Sequence, residues 1–272
     1  MHNHKTPFDK LRTSGYIGDM PATPAYPPNS VPRLFVDVEL AIGAELRLDG
    51  SHAHYLMKVM RIRQGDSVKL FDDRTGEYLA HVTALGKRDL LLLIDGKTRE
   101  RDTVPDLWLC TAPIKKDRFN WIAEKATELG IARFIPVQTA RTQNNPVKLD
   151  KLRAHMVEAA EQCERTSLPA LAPIQSLDQM LQSWPTDRHL FFADERIHES
   201  GEGSFRKALV AHEGTAGILI GPEGGFTDEE NDRIRALPQS VPVSLGPRIL
   251  RADTAAVAAI SLWMAGRGDW SV

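Results

Sequence analysis

The sequence predicts an α/β protein in which a small, mostly β unit precedes a larger unit of alternating strands and helices. Short apolar runs separated by Gly- and Asp-containing turns fill residues 31–100, which is typical of a small β-rich domain. From residue 105 onward, apolar runs typical of buried strands alternate with helical patterns. This alternation predicts a mostly parallel sheet that is covered on both faces.

The same patterns predict how the chain is divided. Prolines cluster between residues 21 and 28 and apolar periodicity is scarce there, so residues 1–30 are predicted to be a disordered extension. A domain of β-barrel type is predicted over 31–100 and the α/β domain over 105–272. The polar stretch 97–106, which contains a proline, is the predicted linker.

The β-rich domain contains four predicted strands and one predicted helix. The helix lies within SHAHYLMKVMRIRQGD, where Ala53, Leu56, Met57 and Met60 recur at helical spacing. The strands are the segments RLFVD, DSVKLFDD, EYLAHVTAL and DLLLLIDG.

The second domain contains five principal predicted strands and five predicted helices. The strands are LWLCTAPI, ARFIPVQT, RHLFFADE, GILIGPEGG and VPVSLG. The first helix lies within DRFNWIAEKATELG, and Gly130 is its predicted C-cap. Thr227 and Glu230 have the spacing of a capping box. The other helices are predicted over 149–163, 204–212, 228–237 and 254–265.

Composition excludes several classes of protein. With 34 Lys and Arg against 36 Asp and Glu the net charge is −2, so any contact with nucleic acid must rest on local clusters of cations. Apolar runs are too short to span a bilayer and the first residues lack the apolar core of a secretory signal. We therefore expect a cytoplasmic protein without a membrane partner. Cys110 and Cys163 lack metal-ligand spacing, so we expect two buried reduced thiols and no metal site.

Standard motifs for nucleotide binding and hydrolysis are missing from the chain. There is no G-x-x-x-x-G-K-[ST] and no G-x-G-x-x-G, which argues against a P-loop and against a dinucleotide-binding site. The motifs H-E-x-x-H, G-x-S-x-G and paired C-x-x-C are also missing, which argues against zinc hydrolases, serine hydrolases and zinc ribbons.

Two glycine-containing loops near the C-terminus carry the strongest functional signal. GPEGGF at Gly221–Phe226 and LGPRILRADTA at Leu245–Ala255 each follow a predicted strand and precede a predicted helix. Ligands of open parallel sheets bind beyond the carboxyl ends of strands, so both loops are predicted to line one pocket. Tight turns alone would also explain the glycines. Arg248 and Arg251 precede the last helix, where the helix dipole disfavours cations, and this placement favours an anionic or electron-rich ligand.

Together these two segments resemble the bacterial 16S ribosomal RNA uridine-N3 methyltransferases of the SPOUT superfamily. The resemblance covers about residues 31–270, and Asp253 departs from it because the family usually has glutamate there. It implies a trefoil-knotted SPOUT domain behind a PUA-like β-barrel, and a homodimer packed through the knotted domain. The other similar segments are His54–Arg61 with Gly65 and Asp66, Lys125–Gly130, and the residues Glu161, Gln162, Arg165 and Pro169.

The resemblance also implies an activity and a set of site residues. The activity is S-adenosylmethionine-dependent methylation of uridine N3 in 16S ribosomal RNA of the small ribosomal subunit. Arg248 and Arg251 are expected to stabilise negative charge on the uracil, and Glu223 either accepts the N3 proton or positions the cofactor. The expected cofactor-binding residues are Leu219, Ile220, Gly221, Pro222, Glu223, Gly224, Leu245, Gly246, Arg248, Ile249, Leu250, Thr254 and Ala255.

Expected contacts with RNA phosphates are the basic residues Arg61, Arg63, Lys115, Lys116, Arg118 and Arg165. His52 and His54 are expected to be ordinary or RNA-facing histidines. Two other functions remain open on the sequence alone. One is a non-catalytic RNA-binding or ribosome-assembly protein with a relict cofactor pocket, and the other is a nucleotide-binding enzyme that uses GPEGG as a phosphate loop.

Overall fold

The structure, a computed structural model, describes residues 31–142, 146–197 and 203–270; the predicted extension over 1–30 lies outside them. The strands are β1 (Arg33–Phe35), β2 (Glu45–Leu48), β3 (Ser67–Phe71), β4 (Gly76–Leu85), β5 (Leu90–Glu100), β6 (Leu107–Thr111), β7 (Arg133–Gln138), β8 (Ala170–Leu171), β9 (Gln175–Ser176), β10 (His189–Ala193), β11 (Ala216–Ile220) and β12 (Ser240–Val243). The α-helices are α1 (Gly50–His54), α2 (Lys116–Glu128), α3 (Leu149–Gln162), α4 (Leu177–Gln182), α5 (Phe205–Ala211), α6 (Asp228–Ala236) and α7 (Ala252–Arg267).

The N-terminal sheet has the order β1-β3-β4-β5-β2. Its neighbours are antiparallel except for the parallel pair β1 and β3. Inward-facing Val68, Leu70 and Val82 form a core that Ala53 and Leu56 close from the inserted helical segment. That segment is α1 followed by a π-helical turn, Tyr55–Val59. The expected β-rich unit with one inserted helix is therefore confirmed, and its ladder is open at β1 and β2.

The C-terminal sheet is parallel throughout and has the order β12-β10-β11-β6-β7-β8, with β9 also paired to β7. Helices α2, α3, α5 and α7 pack on one face and α4 and α6 on the other, each with its own apolar core. Side chains alternate between the faces along each strand, so Ile218 and Ile220 enter the first core and Leu219 the second. The predicted mixed α/β architecture, with a parallel sheet covered on both faces, is confirmed.

The ends of the helices and strands agree with the sequence predictions except in three respects: the end of β5, the length of the linker and the start of α7. The capping box of Thr227 and Glu230 is present at the start of α6, and Gly130 follows α2 with φ +91°. Strand β5 continues to Glu100, because its polar last residues still pair with β4 while facing solvent. The predicted linker is thus shorter than 97–106. Helix α7 begins at Ala252, two residues before the predicted start.

The two cysteines differ in burial, which corrects the expectation that both are buried. Cys110 lies inside β6 and is fully buried, so burial raises the pKa of its thiol. Cys163 is exposed, because α3 ends at Gln162 and the cysteine caps its outer end. Within the described residues no helix is long and apolar enough to cross a membrane.

A buried arginine joins the two sheets. Arg33, on β1, is 1% exposed, and its Nε donates to Glu77 Oε2 at 2.6 Å. Its other nitrogens donate to Ala160 O at 2.8 Å and to Arg165 O at 2.8 Å, both of which belong to the second domain. The guanidinium also stacks 4.0 Å above the Phe71 ring. One buried cation therefore has partners in both domains, beside further contacts such as the hydrogen bond from Leu168 N to Asp73 Oδ1 at 2.8 Å.

Two of the family-like residues belong to this junction. Glu161 is 7% exposed and its Oε1 accepts a hydrogen bond from Phe35 N at 2.9 Å. Arg165 is 6% exposed and donates to Thr127 O at 2.9 Å and to Ile131 O at 2.7 Å. The expectation that Arg165 contacts RNA phosphate is wrong, because its buried guanidinium donates hydrogen bonds to carbonyl groups in the protein interior.

Glu161 should make stability depend on pH. Burial raises the pKa of Glu161 to about 7, although the Phe35 amide and Arg33 oppose the rise. The folded state then binds a proton more tightly than the unfolded state, so this contribution is complete below pH about 4.5 and is lost as pH rises through about 7. We expect Glu161→Gln, which keeps an acceptor for Phe35 N, to raise the free energy of unfolding at pH 8 by roughly 2–3 kcal/mol and to have little effect at pH 4.5.

Urea unfolding across this pH range measures the effect. The exposed Glu45→Gln is the matched control and should leave the pH dependence unchanged. A Glu161→Gln protein whose stability falls from pH 5 to pH 8 as steeply as the wild type would contradict the assignment.

Candidate functional site

The carboxyl ends of four parallel strands surround a cleft of about 580 Å³. The loops that follow β7, β10, β11 and β12 line it, together with the first turns of α6 and α7. Both glycine-containing loops therefore meet at the sheet edge where ligands of parallel sheets bind. The sequence-predicted residues in the lining are Ile220, Gly221, Pro222, Glu223, Gly224, Leu245, Gly246, Arg248, Ile249, Leu250, Arg251 and Ala255.

The first wall is the loop between β11 and α6. Its turn is closed by a hydrogen bond from Gly225 N to Pro222 O at 2.9 Å, and Gly225 has φ +66°, which favours glycine. A Cβ at Gly221 would lie 3.1 Å from the Phe226 ring, so this strand end packs tightly against its own loop. Glu223 lies at the tip with an exposed side chain.

The second wall is the loop between β12 and α7. Gly246 has φ +114°, a backbone conformation that side-chain-bearing residues rarely adopt. Ile249 is 80% exposed, so an apolar side chain stands free at the cleft. Arg251 is the N-cap of α7, where its carbonyl accepts from Ala255 N at 2.8 Å and its side chain makes no capping bond. Arg248 and Arg251 are both exposed at the rim.

Among the lining residues that were not predicted from the sequence are three charged residues from the loops after β7 and β10. Arg141, in the loop after β7, donates from Nη1 to Gly224 O at 2.6 Å. Asp194, directly after β10, is 3% exposed, accepts from Arg196 N at 2.9 Å and pairs with Arg235. Arg196 lines the cleft beside it. The one signal available in the sequence was the position of Asp194 at a predicted strand end.

Two predicted cofactor residues lie outside the lining of the cleft. Leu219 is fully buried in the core on the α4 and α6 side of the sheet. Thr254 is exposed in the first turn of α7, where its backbone N–H donates to Asp253 Oδ1 at 2.8 Å. A role for Leu219 in ligand binding would have to act through its backbone or through a neighbour.

The basic residues predicted to contact RNA are spread over both domains. Arg61, which has φ +54°, and Arg63 are exposed after the π-helical turn of the N-terminal domain. Lys115 and Lys116 are exposed at the start of α2. Arg118 lies one turn further, with Nε 3.8 Å from Asp253 Oδ2 at the start of α7. These residues, unlike Arg165, can reach a ligand outside the protein.

The histidines lie in the inserted helical segment. His52 is partly buried, which lowers its pKa, and His54 is exposed. The described residues contain no group of three or more His, Cys, Asp or Glu placed to hold a metal ion.

The cleft combines three chemical features. Glycine-rich loops present backbone groups, and Ile220, Val243 and Leu250 supply apolar surface. Four arginines from three separate segments surround that surface: Arg141, Arg196, Arg248 and Arg251. A site of this kind suits a small, flat, partly apolar ligand beside an anionic one, and its volume lies within the range of about 300–1,000 Å³ found for small-molecule sites.

Comparison with known proteins relates this chain to RNA methyltransferases. Residues 101–264 match the family of the RNA methyltransferase domain, and residues 48–95 match the RNA methyltransferase PUA domain. Two solved structures are similar over nearly their whole length. A methyltransferase of Legionella pneumophila with bound S-adenosylmethionine has a TM-score of 0.79 at 27% identity and covers 88% of this chain and 99% of its own. The ribosomal RNA small subunit methyltransferase E of Neisseria gonorrhoeae, also with S-adenosylmethionine, has a TM-score of 0.77 at 26% identity and covers 89% and 100%.

Sequence relatives agree with the structures. The ribosomal RNA small subunit methyltransferase E of Rickettsia conorii is 32% identical over 231 residues, which are 84% of this chain and 93% of the relative. The Bacillus subtilis protein of the same name is 32% identical over 227 residues, covering 79% and 87%. The chain therefore belongs to the RNA methyltransferase family, in the group of the ribosomal RNA small subunit methyltransferases E.

Proposed function

We propose that this protein is an S-adenosylmethionine-dependent methyltransferase that modifies N3 of a uridine in 16S ribosomal RNA of the small subunit. The observation that carries the proposal is the single cleft in which both glycine-containing loops meet under exposed arginines. The similar structures with bound S-adenosylmethionine support the choice of cofactor. The names of the relatives support small-subunit ribosomal RNA as the substrate.

The cleft residues fit this cofactor. Backbone groups of Gly221–Gly224 and Leu245–Gly246 can hydrogen-bond a purine and a ribose, and Ile249 and Leu250 offer apolar surface for the base. Gly246 has a positive φ that favours glycine, and glycine positions also let the backbone of a loop approach a ligand closely. Bound S-adenosylmethionine supplies an electrophilic methyl group, so the protein's task is orientation and electrostatics.

The reaction requires a proton to leave uridine N3, because the protonated nitrogen is a poor nucleophile. Glu223 offers an exposed carboxylate on the first wall and is the proposed acceptor of that proton. Arg251 and Arg248, on the second wall, would stabilise the negative charge that develops on the uracil oxygens as the proton leaves. In the products the methyl group would be bonded to N3 and no longer to the sulfonium sulfur, so that S-adenosylhomocysteine would be left. The carboxylate would hold the proton and release it to solvent.

RNA binding and assembly complete the proposal. Phosphates are proposed to contact the exposed cations Arg61, Arg63, Lys115 and Lys116 and the partly exposed Arg118, so affinity for RNA should fall steeply with salt. We also propose a homodimer through the α7 side of the second domain. Exposed apolar residues there, Ile249 and Leu262, support it. The trefoil knot, the domain bounds 31–100 and 105–272 and a cytoplasmic location remain part of this proposal.

Ligand binding and a cellular assay test the function. Thermal unfolding with S-adenosylmethionine should show stabilisation that grows by about 1.4 kcal/mol per tenfold rise in saturating ligand, whereas ATP should have no effect. Ribosomal RNA from cells lacking the gene should lose one N3-methyluridine in the small subunit. RNA binding without S-adenosylmethionine binding would instead support the non-catalytic alternative, and stabilisation by ATP alone would support the nucleotide-binding one.

Replacing Glu223 tests its role as the proton acceptor. We expect Glu223→Gln to lower the turnover number by about 100-fold, because glutamine cannot accept the proton, while the Kd for S-adenosylmethionine stays within a few-fold. Single-turnover methylation and calorimetry measure the two quantities. Full turnover with normal cofactor affinity would remove Glu223 from the base role, and weakened affinity with normal saturated turnover would make it a cofactor-positioning residue.

A further inference from the structure

The GPEGGF loop is held in place by Arg141, which lies in the loop after β7 and outside the GPEGGF segment. Arg141 Nη1 donates to Gly224 O at 2.6 Å and to Phe226 O at 3.4 Å. The stem of the same side chain covers the loop, since a Cβ at Gly224 would lie 3.3 Å from Arg141 Cδ. Both the head and the stem of one arginine therefore define the position of the loop.

The loop needs such a restraint because of its composition. Three of its six residues are glycines, and its own turn is closed by the bond from Gly225 N to Pro222 O. Ordering one residue costs about 1–2 kcal/mol of backbone entropy, and glycine loses more than other residues. A loop left free would have to be ordered by each ligand as it binds, and affinity would fall accordingly.

A second set of contacts fixes the loop that bears Arg141. The carboxylate of Glu230 is 2% exposed and accepts from Ala140 N at 2.7 Å and from Thr227 N at 2.9 Å. The loop after β7 is therefore joined to the start of α6 on one side of Arg141, while the guanidinium joins it to the glycine loop. Thr139 and Thr142 close the same loop through a hydrogen bond from Thr139 N to Thr142 Oγ1 at 2.9 Å.

We propose that Arg141 is a positioning residue of the methyl-transfer site, which sets the GPEGGF loop and thereby the place of Glu223 in the cleft. The inference rests on the proposed function and concerns a residue that the family-like motifs do not contain. Both hydrogen bonds leave the same nitrogen, Nη1, whose position is set by the planar guanidinium and by the stem that packs on the loop. A lysine amine lacks that plane and is a single point charge on a flexible stem. Misplacing a reacting group by about 1 Å can cost up to about 100-fold in rate.

The decisive experiment compares Arg141→Ala and Arg141→Lys with the wild-type protein before any ligand is added. Hydrogen exchange of the peptide that contains Gly225 should be at least about tenfold faster in both variants, because the loop opens more often. Calorimetry should show a Kd for S-adenosylmethionine raised about tenfold. Turnover at saturating cofactor and RNA should fall about tenfold as well, since saturation does not restore the position of Glu223.

Arg233→Ala is the matched control. Arg233 is an exposed arginine on α6 that pairs with Asp178 and lies outside the cleft lining, so its removal should change none of the three quantities. Normal hydrogen exchange and a normal Kd for S-adenosylmethionine in Arg141→Ala would overturn the inference. Wild-type values of all three quantities in Arg141→Lys would also overturn it, because a positive charge alone would then be sufficient. A raised KM for RNA with unchanged cofactor affinity would overturn it in favour of a direct RNA contact. Failure of the wild-type protein itself to bind S-adenosylmethionine would instead contradict the proposed function.

Discussion

Replacing Arg33 by alanine is expected to lower the free energy of unfolding by about 3–5 kcal/mol, because it removes the cation closest to the buried Glu77 carboxylate and leaves it Lys69 at 3.8 Å. Both side chains of this pair are almost fully buried, at 2% and 1% exposure. Burial by itself would raise the pKa of Glu77, but hydrogen bonds from Arg33 and Thr98 hold that pKa below its ordinary value. Without Arg33 the carboxyl group must either take up a proton or remain charged in the interior.

The loss of stability in Arg33→Ala should extend to the second domain. Arg33 also satisfies the carbonyl groups of Ala160 and Arg165, which would be left unpaired near the end of α3. Arg33→Lys should recover only part of the stability, since one amine cannot serve oxygens on both sides of the junction. We expect weaker RNA binding, because fewer contacts then hold the two basic surfaces in one orientation. Affinity for S-adenosylmethionine should be unchanged, because the cleft contains no junction residue.

Arg74→Ala is the comparison. Arg74 pairs with Asp37 at 2.9 Å, but both side chains are about half exposed or more, so its removal should cost less than about 1 kcal/mol. Urea unfolding of both variants provides the measurement. If Arg33→Ala cost no more than Arg74→Ala, the junction would be held by its apolar contacts, chiefly Phe35, Phe71 and Leu168, and not by the charged cluster.

The cleft loops could be predicted from the sequence because their signals are local. Gly225 and Gly246 have positive φ angles, so glycine at these positions reports the backbone shape directly. Alternation of apolar runs and helical patterns likewise reports which strand ends meet at one edge of a sheet. The edge itself then follows from the direction of the parallel strands.

The residues that hold these parts in place could not be predicted in the same way. Arg141 and Gly224 are 83 residues apart, and Arg33 and Arg165 are 132 apart, so no spacing in the chain relates them. Arg165 is a residue that the sequence indicates, but with the wrong role. It was expected to bind RNA because it is basic and lies in a family-like segment, yet its burial among carbonyls gives it a structural task. Charge and resemblance do not distinguish a recognition arginine from a structural one; only burial and partners do.

Arg251 lies at the start of α7, where its positive charge lowers the stability of the helix. It is the N-cap of a sixteen-residue helix and makes no side-chain capping bond. The positive end of the helix dipole disfavours a cation there by about 0.3–1 kcal/mol, and Ser, Thr, Asp or Asn would cap the helix better. A residue that opposes local stability at the rim of a cleft is expected to be retained for function.

Arg251→Ala should therefore change activity and stability in different directions. We expect methyl transfer at saturating cofactor to fall by about 100–1,000-fold, the loss of about 2.7–4 kcal/mol typical of removing one group that stabilises a developing anion. The melting temperature should stay the same or rise slightly, because the side chain is exposed and its charge is unfavourable at the helix start. The Kd for S-adenosylmethionine should change by no more than a few-fold, since the side chain faces the substrate in the proposed mechanism.

Arg206→Ala is the control that separates the loss of a group aimed at the uracil from the general loss of surface charge. Arg206 is an exposed arginine in the first turn of α5, so its removal takes away a cation from an equivalent helix position outside the cleft lining. Turnover should remain at the wild-type level in this variant. Equal activity losses in the two variants would mean that general electrostatics of the surface, and not a group aimed at the uracil, accounts for the effect. An Arg251→Ala protein with lost cofactor affinity and normal saturated turnover would place the arginine on the cofactor instead.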